Sequence, residues 1–184
     1  MERFSRIANT LFILVLMGIL SASYYQQFFK NGNPCPLCIL QSFGMFGVAL
    51  GLCLNLRVGI EPKHYGFSLL FALFGGGVSL RQIALHICPG FSVFGIPVFG
   101  LSLYTWAFLA FVISVFAIAT LLMLYPKERG QVPKLNWFEW IAILAVLVLL
   151  TANHITTFRQ CALGPCQDVP WPQPPAQTQA STLP

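Results

Sequence analysis

The chain has 184 residues, of which 57% are hydrophobic and only 8% charged, a composition too apolar for a soluble domain that must cover itself with polar surface. Its net charge of +5 does not indicate a nucleic-acid partner, because the ten Lys and Arg residues are scattered rather than gathered on one face or motif. A bilayer is the solvent that fits this composition.

In chain order, Arg3 and Arg6 precede a first apolar run over 7–25. A cleaved signal peptide ending near Ser21-Ala22-Ser23 is the competing reading, but the apolar stretch continues through Tyr24 and Tyr25, as a spanning helix would. Further runs over 39–56, 65–87, 103–125 and 138–158 are each long enough to cross. The expected fold is therefore all-α: an integral membrane bundle of about five transmembrane helices, a four-helix core plus one, since backbone polar groups must pair internally in lipid. With the N-terminus in the cytoplasm, Arg3, Arg6, Arg57, Lys63, Lys127, Arg129 and Lys134 lie inside, and only Lys30, Arg81 and Arg159 lie outside. That asymmetry is the one cytoplasmic loops carry. The outer segments are then 26–37, 86–102 and everything after 158. The bundle is expected over 1–168, and 169–184, with Pro170, Pro172, Pro174 and Pro175 among Gln, Ser and Thr, is expected to be a disordered tail. Gly47 and Gly51 in the second helix and Gly75, Gly76 and Gly77 in the third are read as close-packing positions in preference to a dimer face.

Six cysteines occur, and five of them, Cys35, Cys38, Cys88, Cys161 and Cys166, fall at outer ends of helices or in outer segments, where an oxidising compartment permits disulfides. Cys53 lies toward the inner end of a helix and reads as a small apolar filler. Cys35-Pro36-Leu37-Cys38 is a C-x-x-C at the point where the chain enters the second helix. Unpaired N–H groups and the positive dipole end there favour a thiolate at Cys38. The two-residue spacing makes a small ring suited to redox exchange rather than bracing. Zinc would need two further ligands nearby, so no metal is expected. Cys161-Ala-Leu-Gly-Pro-Cys166 forms a second plausible pair, either a mobile dithiol or a brace, and Cys88 remains able to pair with either of its members.

Arg81 sits about two turns before the outer end of the third helix. It either snorkels to headgroups or donates hydrogen bonds to a bound electron acceptor that gains negative charge. Gln82 and His86 are four apart on a neighbouring face, and His86 either caps the helix end or relays protons. The three histidines show no metal-ligand spacing, and the tryptophans near helix ends read as an interfacial belt.

Asn33-Pro-Cys35-Pro-Leu-Cys38-Ile-Leu-Gln41, the stretch from Gly95-Ile-Pro-Val-Phe-Gly to Leu-Ser-Leu-Tyr-Thr-Trp106, and Cys161-Ala-Leu-Gly-Pro-Cys166-Gln-Asp168 together resemble the disulfide bond formation protein B (DsbB) family. The resemblance implies an enzyme of the bacterial inner membrane that reoxidises a soluble periplasmic DsbA-like oxidase of thioredoxin-like fold and passes the electrons to ubiquinone or menaquinone. It implies Cys35 and Cys38 as the first catalytic pair, Cys38 nearest the quinone; beside this, Gln41, Arg81, Gln82 and His86 stand as candidate quinone contacts and Cys161 and Cys166 as the partner-facing pair, displaced to the tail. Two departures stand out. Many relatives carry an arginine four residues after the second cysteine, where this chain has Ser42. The better-studied relatives also have four helices and two cysteines in the second outer loop, where this chain has Cys88 alone. The rivals are a vitamin K epoxide reductase-like protein, whose C-x-x-C lies late in the bundle, and a non-enzymatic thiol metal-binding membrane protein.

Overall fold

Where the chain is most apolar it is helical, and the first helix overruns its apolar window by five residues at its start and four at its end, because polar ends also support helix outside the hydrocarbon. The computed structural model of the protein describes residues 2–29, 36–87, 100–124 and 134–161. These hold α1 (Glu2–Phe29), α2 (Pro36–Arg57), α3 (Pro62–Ile87), α4 (Leu103–Met123) and α5 (Trp137–Cys161), all five long and apolar enough to cross a membrane. The protein is a multi-pass helical membrane bundle. Cys35, Cys88 and Cys166, most of the second outer loop and the Pro-rich segment 169–184 lie outside the described residues.

Contacts between helix ends establish the up-and-down order. At one end, Arg6 near the start of α1 pairs with Glu139 near the start of α5. There too, Tyr65 at the start of α3 donates to Asn9 of α1, and His64 meets Asn55 near the end of α2. At the other end, Gln41 near the start of α2 meets Gln82 near the end of α3, and His86 stacks on Tyr104 at the start of α4. Successive helices are therefore antiparallel, as short connections require. α2 is central, touching the four others, and α5 lies against α1 and α2.

Lipid tails are as apolar as leucine, so close approach rather than water exclusion must hold such helices together. The glycines of α2 provide it. A Cβ on Gly47 would stand 2.1 Å from the Phe71 ring, one on Gly51 2.1 Å from Ser68 Oγ, and one on Gly44 3.0 Å from the Cα of Gly75. A Cβ on Gly75 would in turn stand 2.1 Å from the Phe111 ring of α4. Gly47 and Gly51 thus serve packing within one chain, whereas Gly77 has open space. Ser68 adds an interhelical bond to the carbonyl of Val48 at 3.0 Å. Ile13, Leu16, Leu20, Val48, Leu52, Leu56, Phe111 and Ile118 fill the remaining interior, with Cys53 among them as a buried free thiol.

Among the described residues, Arg6 and Glu139 form a buried ion pair. Arg6 donates from Nε at 2.9 Å and from Nη2 at 2.6 Å to the two carboxylate oxygens, and both side chains are buried. Glu139 also accepts from the backbone N–H of Asn136 at 2.8 Å, which caps the first turn of α5. The pair neutralises both groups and joins the first helix to the last. Beside it, Arg57 of α2 lies over the Trp140 ring at 5.6 Å.

Candidate functional site

Pro36 opens α2, a position where its missing N–H costs nothing and its fixed φ suits the helix. Cys38 therefore stands in the first turn, at the end where unpaired N–H groups favour an anion. Its side chain is half-buried. Ser42, one turn on, donates to the Cys38 carbonyl at 3.0 Å. The hydroxyl at position 42 is thus bonded back onto its own helix at the residue that carries the thiol.

Three of the expected contacts converge on Cys38. Gln82 is buried, and its Nε2 lies 3.8 Å from Cys38 Sγ, a distance suited to an N–H donor on sulfur. Gln41, also buried, donates from Nε2 to Gln82 Oε1 at 2.8 Å. That bond occupies the amide oxygen and leaves the nitrogen end of Gln82 toward the sulfur. His86, one turn beyond Gln82, is hydrogen-bonded through Nδ1 to the Gln82 carbonyl at 2.7 Å. Gln41 of α2 with Gln82 and His86 of α3 thus form one hydrogen-bonded cluster beside the thiol. Arg81 is about 100° round the helix from Gln82 and is exposed, turned away from this cluster. Cys161 closes α5, while Cys35, Cys88 and Cys166 lie outside the described residues.

The ring beneath His86 is a feature the sequence reading does not single out. Tyr104 is almost wholly buried, and its ring stacks on His86 with centroids 4.9 Å apart and planes 28° from parallel. Local sequence puts it there. Gly100 takes a positive φ of 77°, Ser102 is the extended N-cap of α4, and the N–H groups of Thr105 and Trp106 both donate to the Ser102 carbonyl. The hydroxyls of Ser102 and Thr105 meet at 2.8 Å. The signal was present in Leu-Ser-Leu-Tyr-Thr, where a Ser before an apolar run marks a helix start, but nothing in it tells which neighbour the tyrosine meets.

A sequence model of the family described as disulfide bond formation protein DsbB matches residues 5–94, a stretch that contains Cys35, Cys38, Gln41, Gln82, His86 and Cys88 but neither Cys161 nor Cys166. The chain is 29% identical over 149 residues to disulfide bond formation protein B of Burkholderia ambifaria, covering 62% of this chain and 86% of the relative. It is 35% identical over 83 residues to disulfide bond formation protein B 1 of Burkholderia lata, covering 42% and 48%. With disulfide bond formation protein B of Cupriavidus necator it shares 29% identity over 90 residues, covering 48% and 56%. No solved structure matches the chain significantly. The family match falls on the helices that build the thiol site, the relatives share one name, and the fold is a membrane helical bundle: all three support assignment to the DsbB family.

Proposed function

We propose that the protein is a thiol:quinone oxidoreductase of the bacterial inner membrane, reoxidising a periplasmic DsbA-like dithiol oxidase of thioredoxin fold. The observation that carries this reading is the placement of Cys38 in the first turn of α2, with the Gln82 amide on its sulfur and His86 one turn further along α3. The proposed orientation has the N-terminus in the cytoplasm. Cys38, the ends of α1, α3 and α5 and the start of α4 then share the periplasmic side.

In the first step, a reduced partner attacks a disulfide between Cys161 and Cys166, and the partner's second thiol resolves the mixed disulfide. The dithiol so formed reduces the bond between Cys35 and Cys38. Two electrons and two protons then have to leave this second dithiol as its disulfide re-forms. A bound quinone, ubiquinone or menaquinone, supplies the two-electron, two-proton acceptor.

The residues around Cys38 suit such a group. A quinone carbonyl accepts hydrogen bonds, and the buried side chains beside the thiol are N–H bearers rather than carboxylates. Gln82 and Gln41 would hold it from α3 and α2, and His86 would carry a proton. Arg81, exposed on α3, would meet it from the lipid side. The Gln82 N–H steadies negative charge on Cys38 Sγ, and burial strengthens that bond by lowering the local dielectric. The protein's share of the catalysis is proximity and fixed dipoles.

Trapping tests the entry point. With Cys161 and Cys166 present as their disulfide, a reduced thioredoxin-fold oxidase lacking its resolving cysteine is expected to attack that bond and accumulate as a mixed disulfide on one of the two sulfurs, the other leaving as the thiol. Capture on Cys88 instead would change the order of exchange. A protein that retains a metal tightly and forms no adduct would favour the thiol metal-binding alternative.

A further inference from the structure

His86 is held by two constraints of different kind. A backbone carbonyl only accepts, so the 2.7 Å contact between Nδ1 and the Gln82 oxygen requires the proton on Nδ1. This makes Nε2 the nitrogen at which a proton can be exchanged. One hydrogen bond fixes an edge of the ring and leaves its plane free to tilt about that edge. The Tyr104 face, 4.9 Å away and 28° from parallel, removes that second freedom. Tyr104 is itself immobilised by burial and by the capped start of α4.

We propose that Tyr104 is a positioning residue for His86: its ring face holds the imidazole so that Nε2 points at the reacting centre beside Cys38. The proposal rests on His86 acting as the proton carrier described above. Two protons leave as the dithiol becomes a disulfide and two electrons pass to the quinone. A proton taken up at Nε2 is given up from the same atom, so the imidazole ends each cycle as it began, with Nδ1–H still on the Gln82 carbonyl. The ring face, not the hydroxyl, is the working part of Tyr104. The device also explains why α4 starts where it does, since a shift of one residue at Ser102 would rotate the tyrosine away by about 100°.

The test uses the full-length protein in detergent with a reduced dithiol oxidase and quinone. Tyr104→Leu is expected to lower kcat roughly tenfold, part of the ~10²-fold or more that a positioned acid–base group contributes, with KM for the dithiol oxidase unchanged. Tyr104→Phe is expected to recover the rate lost in Tyr104→Leu. In a His86→Ala background, Tyr104→Leu should cost nothing further, as coupled residues behave in a double-mutant cycle. Failure of Tyr104→Phe to recover the rate, or a tenfold loss that persists without His86, overturns the proposal. Full turnover in His86→Ala alone removes the proton-carrier reading on which it rests. The 15N shifts of His86 separate the two failures, because they do not depend on turnover. The wild type should show Nδ1 protonated, and Tyr104→Leu should show exchange broadening or mixed tautomers. Identical sharp shifts in both proteins refute positioning, and Tyr104→Met provides the same reading if the leucine variant does not fold.

Discussion

Replacing Gln82 by methionine, which keeps its length and volume, removes both of its polar contacts at once. The first loss is the N–H on Cys38 Sγ at 3.8 Å. A hydrogen bond to a charged group contributes about 1.5–3 kcal/mol, and the length of this one puts it at the lower end. At about 1.4 kcal/mol per factor of ten, the reactive thiolate at neutral pH should fall about tenfold. The second loss is the acceptor of Gln41, which is buried. An orphaned buried amide costs about 1–3 kcal/mol of stability. The two effects separate in Gln41→Leu/Gln82→Met, where no amide is orphaned: stability should return and reactivity should not. The assay is the alkylation rate of Cys38 by iodoacetamide, in a background with Cys35, Cys88, Cys161 and Cys166 changed to Ser, alongside SDS unfolding. An unchanged or faster rate in Gln82→Met, or a rate restored by the second substitution, would refute the reasoning.

At the other end of the bundle, Glu139→Leu leaves the buried Arg6 guanidinium without its carboxylate and should destabilise by about 3–5 kcal/mol, whereas Arg6→Met/Glu139→Leu should recover most of it; SDS titration of single and double variants measures both. Gly47→Leu drives a side chain into the Phe71 ring and should cost at least about 1–3 kcal/mol by overpacking, while Gly77→Ala, with open space around it, should melt within a degree or two of wild type. For the orientation, a membrane-impermeant maleimide applied to spheroplasts should label reduced Cys38 and leave a cysteine introduced at Lys63 unlabelled until the membrane is opened.

Much of the fold follows from one-dimensional pattern. Five apolar runs bounded by Pro, Gly and charge leave a helical bundle as the only way to pair the backbone in lipid, and the five helices stand where those runs are. Their ends are less legible: α1 continues to Phe29 and α2 begins at Pro36, because polar residues outside the apolar window still favour helix. The glycines of α2 signalled close packing, but only three dimensions show that Phe71, Ser68 and Phe111 fill the gaps they leave. The pairing of Glu139 with Arg6, 133 positions away, is not readable from local pattern.

At the site, the i, i+4 spacing of Gln82 and His86 placed them on one face, and Cys38 entered as the end of a C-x-x-C. The bond from Gln41 to Gln82 joins different helices, and no spacing rule encodes it. Arg81 and Gln82 show the limit clearly. Sequence alone favoured the cation as the group needing a reason, yet a step of one residue turns it outward and brings the neutral amide to the sulfur.

The most direct test of the account is quinone reduction by the purified protein with a reduced thioredoxin-fold dithiol oxidase as the electron source. Wild type should form one quinol per dithiol oxidised, and Cys38→Ser should form none while still folding and still exchanging with the oxidase through its remaining cysteines. Undiminished quinone reduction by Cys38→Ser would contradict the claim that electrons leave through this thiol.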